Sequence, residues 1–129
     1  MKRTVVPFRN GIMLSIAAGL AESLEVEALM LGNHAGDHAI YPDCRPEFSD
    51  PMAFAIEAGT YAKIKVIRPF EHLTKTDIAK IGGQLNAPFE LTYSCYKGGE
   101  NHCGKCGTCY ERKEAFRDAG VMDPTPYLD

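Results

Sequence analysis

An α/β fold with a largely parallel sheet is the class this sequence predicts, on three observations. The compact apolar run Ala28–Leu31 has the length and composition of a buried parallel strand, and Ile64–Ile67 reads as a further strand. Apolar residues recur at helical spacing from Ile12 and again from Ile78. Strands alternating with helices in this way pair in parallel. No internal repeat or low-complexity segment competes with that reading.

Thr4–Phe8 reads as a short β-rich strand ended by Pro7, which cannot donate to a sheet ladder. Arg9–Gly11 reads as a turn, and Met13, Ala17, Leu20 and Leu24 give an amphipathic helix from Ile12 to about Glu25. Ala28–Leu31 is the next strand, closed by Gly32. The loop Asn33–Phe48 differs in kind, being dense in polar and aromatic groups with two prolines and one glycine. It follows the C-terminal end of a parallel strand, the edge at which open α/β sheets bind ligands. Ser49 is placed to cap a helix running through Phe54 and Ile56 to Gly59, and Ile64–Ile67 follows as a strand. Thr74-Lys-Thr-Asp77 has the form of a capping box with Asp in place of Glu, opening a helix with Ile78, Ile81 and Leu85 on its apolar face. Glu111–Ala119 reads as a last short helix and Asp123–Asp129 as a tail. The expected division is 1–90 as a partial α/β portion, 91–119 as a cysteine loop with its helix, and 120–129 as the tail. Two or three strands are few for a self-sufficient sheet, and no phosphate-binding turn precedes the first.

The cysteines carry the clearest chemistry. Cys95, Cys103, Cys106 and Cys109 place four thiols within fifteen residues, among Gly98, Gly99, Gly104 and Gly107, which let the loop take left-handed conformations. A zinc ion takes four soft ligands at tetrahedral corners, and Cys-x-x-Cys turns deliver thiolates in pairs. His102 is an alternative ligand, but four cysteines already close the shell and leave no position for a catalytic water, so the expected zinc is structural. Paired disulfides and free thiols are the competing readings. A fifth cysteine, Cys44, is left over, and no charged-then-apolar leader opens the sequence. Both observations favour a reducing, cytoplasmic setting in which disulfides are rare.

With 129 residues and 45% apolar content, the chain has one domain's length and enough material for a core. No apolar run approaches the roughly twenty residues that span a bilayer. A net charge of −3 without basic blocks argues against binding duplex nucleic acid, while leaving room for a small anionic ligand.

Val6-Pro7-Phe8-Arg9-Asn10, the octet Tyr41-Pro42-Asp43-Cys44-Arg45-Pro46-Glu47-Phe48, Ser94-Cys95-Tyr96-Lys97-Gly98-Gly99 and Cys103-Gly104-Lys105-Cys106 together resemble the 7-cyano-7-deazaguanine synthase (QueC) family of queuosine biosynthesis. The resemblance covers essentially the whole chain. It implies an adenine-nucleotide α-hydrolase-like, Rossmann-like fold of the ATP pyrophosphatase branch. The activity it implies is conversion of 7-carboxy-7-deazaguanine, ammonia and ATP, with magnesium, into the nitrile through an adenylated intermediate. Such enzymes begin with a Ser-Gly-Gly-x-Asp-Ser loop that cradles pyrophosphate. That loop does not occur here, so the sequence resembles the C-terminal part of the fold, and neither Gly82-Gly83 nor Gly98-Gly99 stands in for it.

On this resemblance, Asp37 and Asp43 are suited to accept from the amino-pyrimidinone edge of a deazapurine, Tyr41 or Phe48 to stack on it, and Arg45 to make a bidentate contact with its carboxylate. An internal Asp43–Arg45 salt bridge is the alternative for that pair. Arg9 and Asn10 are expected beside the adenylate, or else as a polar turn with Asn10 capping. Lys75 matches a phosphate-proximal lysine of related pyrophosphatases, or else is a solvated helix-start lysine. His34 and His38 are candidate proton relays or merely exposed, Arg112 reaches phosphate or covers the cysteine loop, and Cys44 is expected to be packed. Three functions stand side by side. They are an enzyme whose phosphate-binding portion lies elsewhere, a non-catalytic deazapurine- and zinc-binding module, and a zinc-ribbon interaction domain. A homodimer or a complementing N-terminal portion is the expected partner, with no membrane or direct nucleic-acid contact.

Overall fold

The computed structural model describes residues 5–128. The chain divides into two compact units, Met1–His72 and Leu73–Asp129.

The first unit holds helix α1 (Arg9–Ser23), strand β1 (Ala28–Met30), helix α2 (Pro46–Gly59) and strand β2 (Lys65–Ile67). The two strands pair in parallel, Ala28 with Lys65, Leu29 with Val66 and Met30 with Ile67. This is the parallel α/β arrangement expected. Leu14, Ala18 and Ala21 of α1 bury one stripe of that helix with Ile56 and Ile64, and Leu29, Leu31, Met52 and Val66 pack around them. The helical spacing was therefore right and the buried face was not. Met13, Leu20 and Leu24 are exposed, together with Ile12 and Ile16, and Met30 and Ile67 are exposed on the sheet. A helix apolar on both sides has two faces suited to burial, and periodicity alone does not say which one its own unit covers.

Of the expected first strand, Thr4 lies outside the described residues, and Val5–Phe8 form no strand. Phe8 takes a left-handed φ of 55° and caps α1, so Arg9–Gly11 are the helix's first turn rather than a loop. Phe8 folds its ring against Gly11, where a Cβ would lie 2.3 Å from Cζ. Asn10 is likewise not the cap. Helix α2 also starts earlier than Ser49, because Pro46 at its first turn has φ already set for a helix. Ser49 is instead inside the helix and buried.

The second unit contains helix α3 (Lys75–Gln84), the cysteine loop and helix α4 (Gly107–Ala119). The capping box is present as read: the Thr74 amide donates to Asp77 Oδ2 at 2.9 Å and the Asp77 amide to Thr74 Oγ1 at 3.2 Å. The Thr74 hydroxyl bond holds the Asp77 carboxyl below its usual range. Gly82 and Gly83 serve packing: a Cβ on Gly82 would meet Phe89 Cζ at 2.3 Å, and one on Gly83 would meet Val121 Cγ2 at 2.9 Å. Leu85 closes α3 as an exposed cap rather than extending its apolar face. Helix α4 begins four residues before Glu111 and ends at Gly120 in a left-handed cap. The segment expected as a tail is docked. Leu128 donates its amide to His102 O at 2.8 Å, and Pro126 O accepts from the His102 amide at 3.2 Å.

Candidate metal centre and ligand loop

The Sγ atoms of Cys95, Cys103, Cys106 and Cys109 all lie within 4.8 Å of one another. Individual separations are 3.4 Å for Cys106–Cys109, 3.9 Å for Cys106–Cys95 and 4.0 Å for Cys103–Cys109. Tetrahedral thiolate sites with metal–sulfur bonds of about 2.3 Å place sulfurs about 3.8 Å apart, so these four fit one ion. None is a disulfide; all five cysteines are free. Gly104 turns the first Cys-x-x-Cys at φ +69°, with Gly98 and Gly99 also left-handed, whereas Gly107 is an ordinary first-turn residue of α4. Main-chain amides support the sulfurs: Lys97 and Cys103 donate to Cys95 Sγ at 3.4 and 3.3 Å, and Lys105 donates to Cys103 Sγ at 3.4 Å. The Cys103 amide lowers the Cys95 thiol, and the Thr108 hydroxyl at 3.2 Å leads the effects that bring Cys106 down to about 5. Burial pushes Cys109 up to about 12, and a metal held by the four thiols takes them as thiolates, releasing their protons.

His102 is not a ligand. Its Nε2 accepts from the Ser94 amide at 3.0 Å, and its ring lies against Tyr93 and Tyr127 with centroids 4.5 and 5.8 Å away. The Arg112 guanidinium is taken up by a carboxylate of its own unit rather than left for a phosphate. It is bound to Asp123 through Nε at 3.1 and 3.2 Å and Nη2 at 3.0 Å, with further bonds to Thr92 Oγ1 and Phe89 O.

In the first unit, the loop after β1 folds into two single 3₁₀ turns, Ala35–Asp37 and Pro42–Cys44. The second turn is tied to the start of α1. The Asn10 amide donates to Asp43 Oδ2 at 2.9 Å, and Asn10 Nδ2 donates to Asp43 O at 2.8 Å and Cys44 Sγ at 3.4 Å. Asp43 thus occupies one of the amides that an anion would use at this helix N-terminus. The Asp43–Arg45 salt bridge does not form; Arg45 Nε donates to His38 O at 2.6 Å. Tyr41 lies under Arg9, whose Cζ is 5.7 Å from the ring centroid. Phe48 meets Phe8 edge-on at 5.6 Å, beside a cavity of about 230 Å³ lined by Val5, Val6, Pro7, Pro42 and Asp43 as well. Asp37 Oδ2 is 3.4 Å from His34 Nε2. His34 is buried rather than exposed, as is Cys44, whose thiol burial pushes up in pKa.

A family model described as "Queuosine biosynthesis protein QueC" matches residues 1–120. The chain belongs to the QueC family. It is similar to proteins named 7-cyano-7-deazaguanine synthase from Porphyromonas gingivalis, 58% identical over 127 residues, and from Desulfotalea psychrophila, 55% identical over 128 residues. A third, from Brucella anthropi, is 55% identical over 133 residues. These alignments cover 98%, 99% and 100% of this chain and 58%, 58% and 56% of the respective relatives. The chain therefore spans little more than half the length of the QueC relatives it matches.

Within this QueC chain, Arg9, Asn10, Asp37, Tyr41, Asp43, Arg45 and Phe48 all fall in the first unit, on the octet loop and the adjoining start of α1. Lys75 lies in the second unit, where it pairs with Glu111. Sequence reasoning missed the network behind the octet. Asn33 Nδ2 donates to Cys44 O at 3.2 Å and Glu71 Oε1 at 3.1 Å, and Glu71 Oε1 also accepts from Ser49 and, at 3.2 Å, from Arg68. These residues are far apart in sequence, and only Ser49 carried a local signal, which pointed to a cap. No described helix is long and apolar enough to cross a membrane.

Proposed function

We propose that this chain supplies the deazapurine loop and metal-stapled unit of a 7-cyano-7-deazaguanine synthase. The reaction converts 7-carboxy-7-deazaguanine and ammonia to the nitrile at the expense of ATP, with magnesium as the nucleotide's counter-ion, in queuosine biosynthesis. The observation that carries this reading is the octet loop, seated against the start of α1 in a chain 58% identical to a protein of that name. Carboxylate oxygen is a poor leaving group. Adenylation makes each departing oxygen part of AMP, and ammonia supplies the nitrogen.

In this reading Asp37 accepts from the amino-pyrimidinone edge, Tyr41 or Phe48 stacks on the base, and the terminal nitrogens of Arg45 hold the carboxylate, since its Nε is engaged by His38 O. Asp43 contributes chiefly by fixing the octet to Asn10, with only Oδ1 left for a ligand. Arg9 is the nucleotide-facing cation of the first unit, with Asn10 beside it in sequence, and Lys75 is the phosphate-proximal lysine that the family resemblance implies. Zinc is the metal proposed for Cys95, Cys103, Cys106 and Cys109, in a closed structural role. The thiols require a reducing compartment, which the cytoplasm provides.

A second reading is favoured by the share of the relatives covered and by the apolar face Ile12, Met13, Ile16, Leu20 and Leu24. Here the chain is half of a split enzyme, or a module that binds without turnover, and that face is covered by a complementing N-terminal portion or by a second copy in a homodimer. The deciding experiment incubates the purified chain with 7-carboxy-7-deazaguanine, ammonia, ATP and magnesium and follows AMP and nitrile by mass spectrometry, with Arg45→Ala as control. Product above the control establishes the enzyme; deazapurine binding without product establishes the module. Neither product nor binding overturns both.

A further inference from the structure

A buried carboxyl with no part in the chemistry above sits behind the octet loop. Glu71 is 6% exposed and receives three donors on Oε1: Asn33 Nδ2 at 3.1 Å, Arg68 Nη1 at 3.2 Å and the hydroxyl of Ser49, itself 1% exposed. Arg68 Nη1 also bonds Ser49 Oγ at 2.8 Å and Asp50 Oδ1 at 2.6 Å, which anchors the cluster to α2. Asn33 lies three residues beyond Met30, where β1 ends, and its second amide hydrogen reaches Cys44 O at 3.2 Å, inside the octet.

An apolar residue would fill the place of Glu71 with less desolvation cost. What the carboxyl contributes is direction. Both partners of Asn33 Nδ2 are acceptors, so Glu71 fixes which way the amide faces, and the amide in turn fixes the Cys44 carbonyl. The Pro42–Cys44 turn is then held from two sides: by Asn10 at the start of α1 and by Asn33 in the loop just after β1. Tyr41 and Arg45 flank that turn directly.

We propose that Asn33 and Glu71 are positioning residues, which set the Pro42–Cys44 turn and with it Tyr41 and Arg45 for the deazapurine. This rests on the substrate reading above. Cys44 reports on it independently of any ligand, because the residue is 2% exposed and its carbonyl is the held group.

The test compares wild type, Asn33→Ala, Glu71→Leu and the conservative Glu71→Gln. It measures iodoacetamide labelling of Cys44 by peptide mass spectrometry, and affinity for 7-carboxy-7-deazaguanine by calorimetry, on protein whose circular dichroism and metal content match wild type. Asn33→Ala and Glu71→Leu are expected to label Cys44 about tenfold faster and to weaken deazapurine binding about tenfold, with Glu71→Gln restoring both. Should Glu71→Leu not fold, Asn33→Ala alone carries the comparison. Unchanged Cys44 labelling overturns the proposal, and so does faster labelling with unchanged affinity, which would mark the cluster as scaffold only. A wild type that binds no deazapurine, while the Cys44 pattern appears as expected, refutes the substrate assignment and leaves the hold on the turn standing.

Discussion

Asp123→Ala is the substitution whose cost the second unit defines most closely. The carboxylate receives Arg112 Nε and Nη2, the Tyr127 hydroxyl at 2.5 Å and the Thr125 amide at 3.2 Å, and the ion pair is nearly closed to solvent, with side chains 9% and 12% exposed. Removing it strands a buried guanidinium over the Phe116 ring, where breaking such a pair costs about 3–5 kcal/mol. Burial opposes ionisation of Asp123, but the Arg112, Tyr127 and Thr125 bonds outweigh it and bring the carboxyl from 3.8 to about 2. A folded pKa below the unfolded one gives stability that is fully present above pH 3.8 and is lost as pH falls toward 2. The ionisation itself is worth about 2 kcal/mol. Two compact units need not melt together, so the assay is hydrogen exchange of α4 amides, at neutral pH and across the acid range, with a urea melt alongside. A cost below about 1 kcal/mol, or an acid loss in Asp123→Ala as steep as in wild type, would refute the reasoning.

Three further outcomes are expected. Chelation, or Cys106→Ser, should remove about one bound metal per chain and collapse exchange protection in α3 and α4, since a unit this small has little core without its staple; retained protection would show that the thiols are not the staple. Thr74→Ala should cost about 1 kcal/mol, read as faster exchange in the first turn of α3, because the Asp77 amide loses its acceptor and the Asp77 carboxylate loses the Thr74 hydroxyl, while the Thr74 amide still donates to Asp77. Gly82→Ala should destabilise by about 1–3 kcal/mol through the 2.3 Å encounter with Phe89, whereas Gly19→Ala in α1, which meets nothing, should stabilise by about 0.5–1 kcal/mol; similar melts for the two would contradict the close approach.

Much of this protein was legible because its strongest signals are local. The four cysteines, the Thr74–Asp77 box and the strands β1 and β2 act within a few residues of themselves; the cysteines cluster and the box forms as read, and the strands pair in parallel, each one residue shorter than read and with Met30 and Ile67 exposed. The octet loop was recognisable as a motif, and its place after β1 followed from strand polarity.

What only the tertiary structure decided are the choices made by distant partners. Asp43 bonds the α1 amide thirty-three residues away rather than its neighbour Arg45. Arg112 turns to Asp123, His102 gives its nitrogen to Ser94 instead of a metal, and the closing segment docks on the cysteine loop. Glu71 carried no signal at all, although Asn33, Ser49 and Arg68 meet on it. The physical reason is common to these cases. A buried polar group must find a partner, any chemically suitable one will serve, and the chain's path in space, which no short window encodes, selects it.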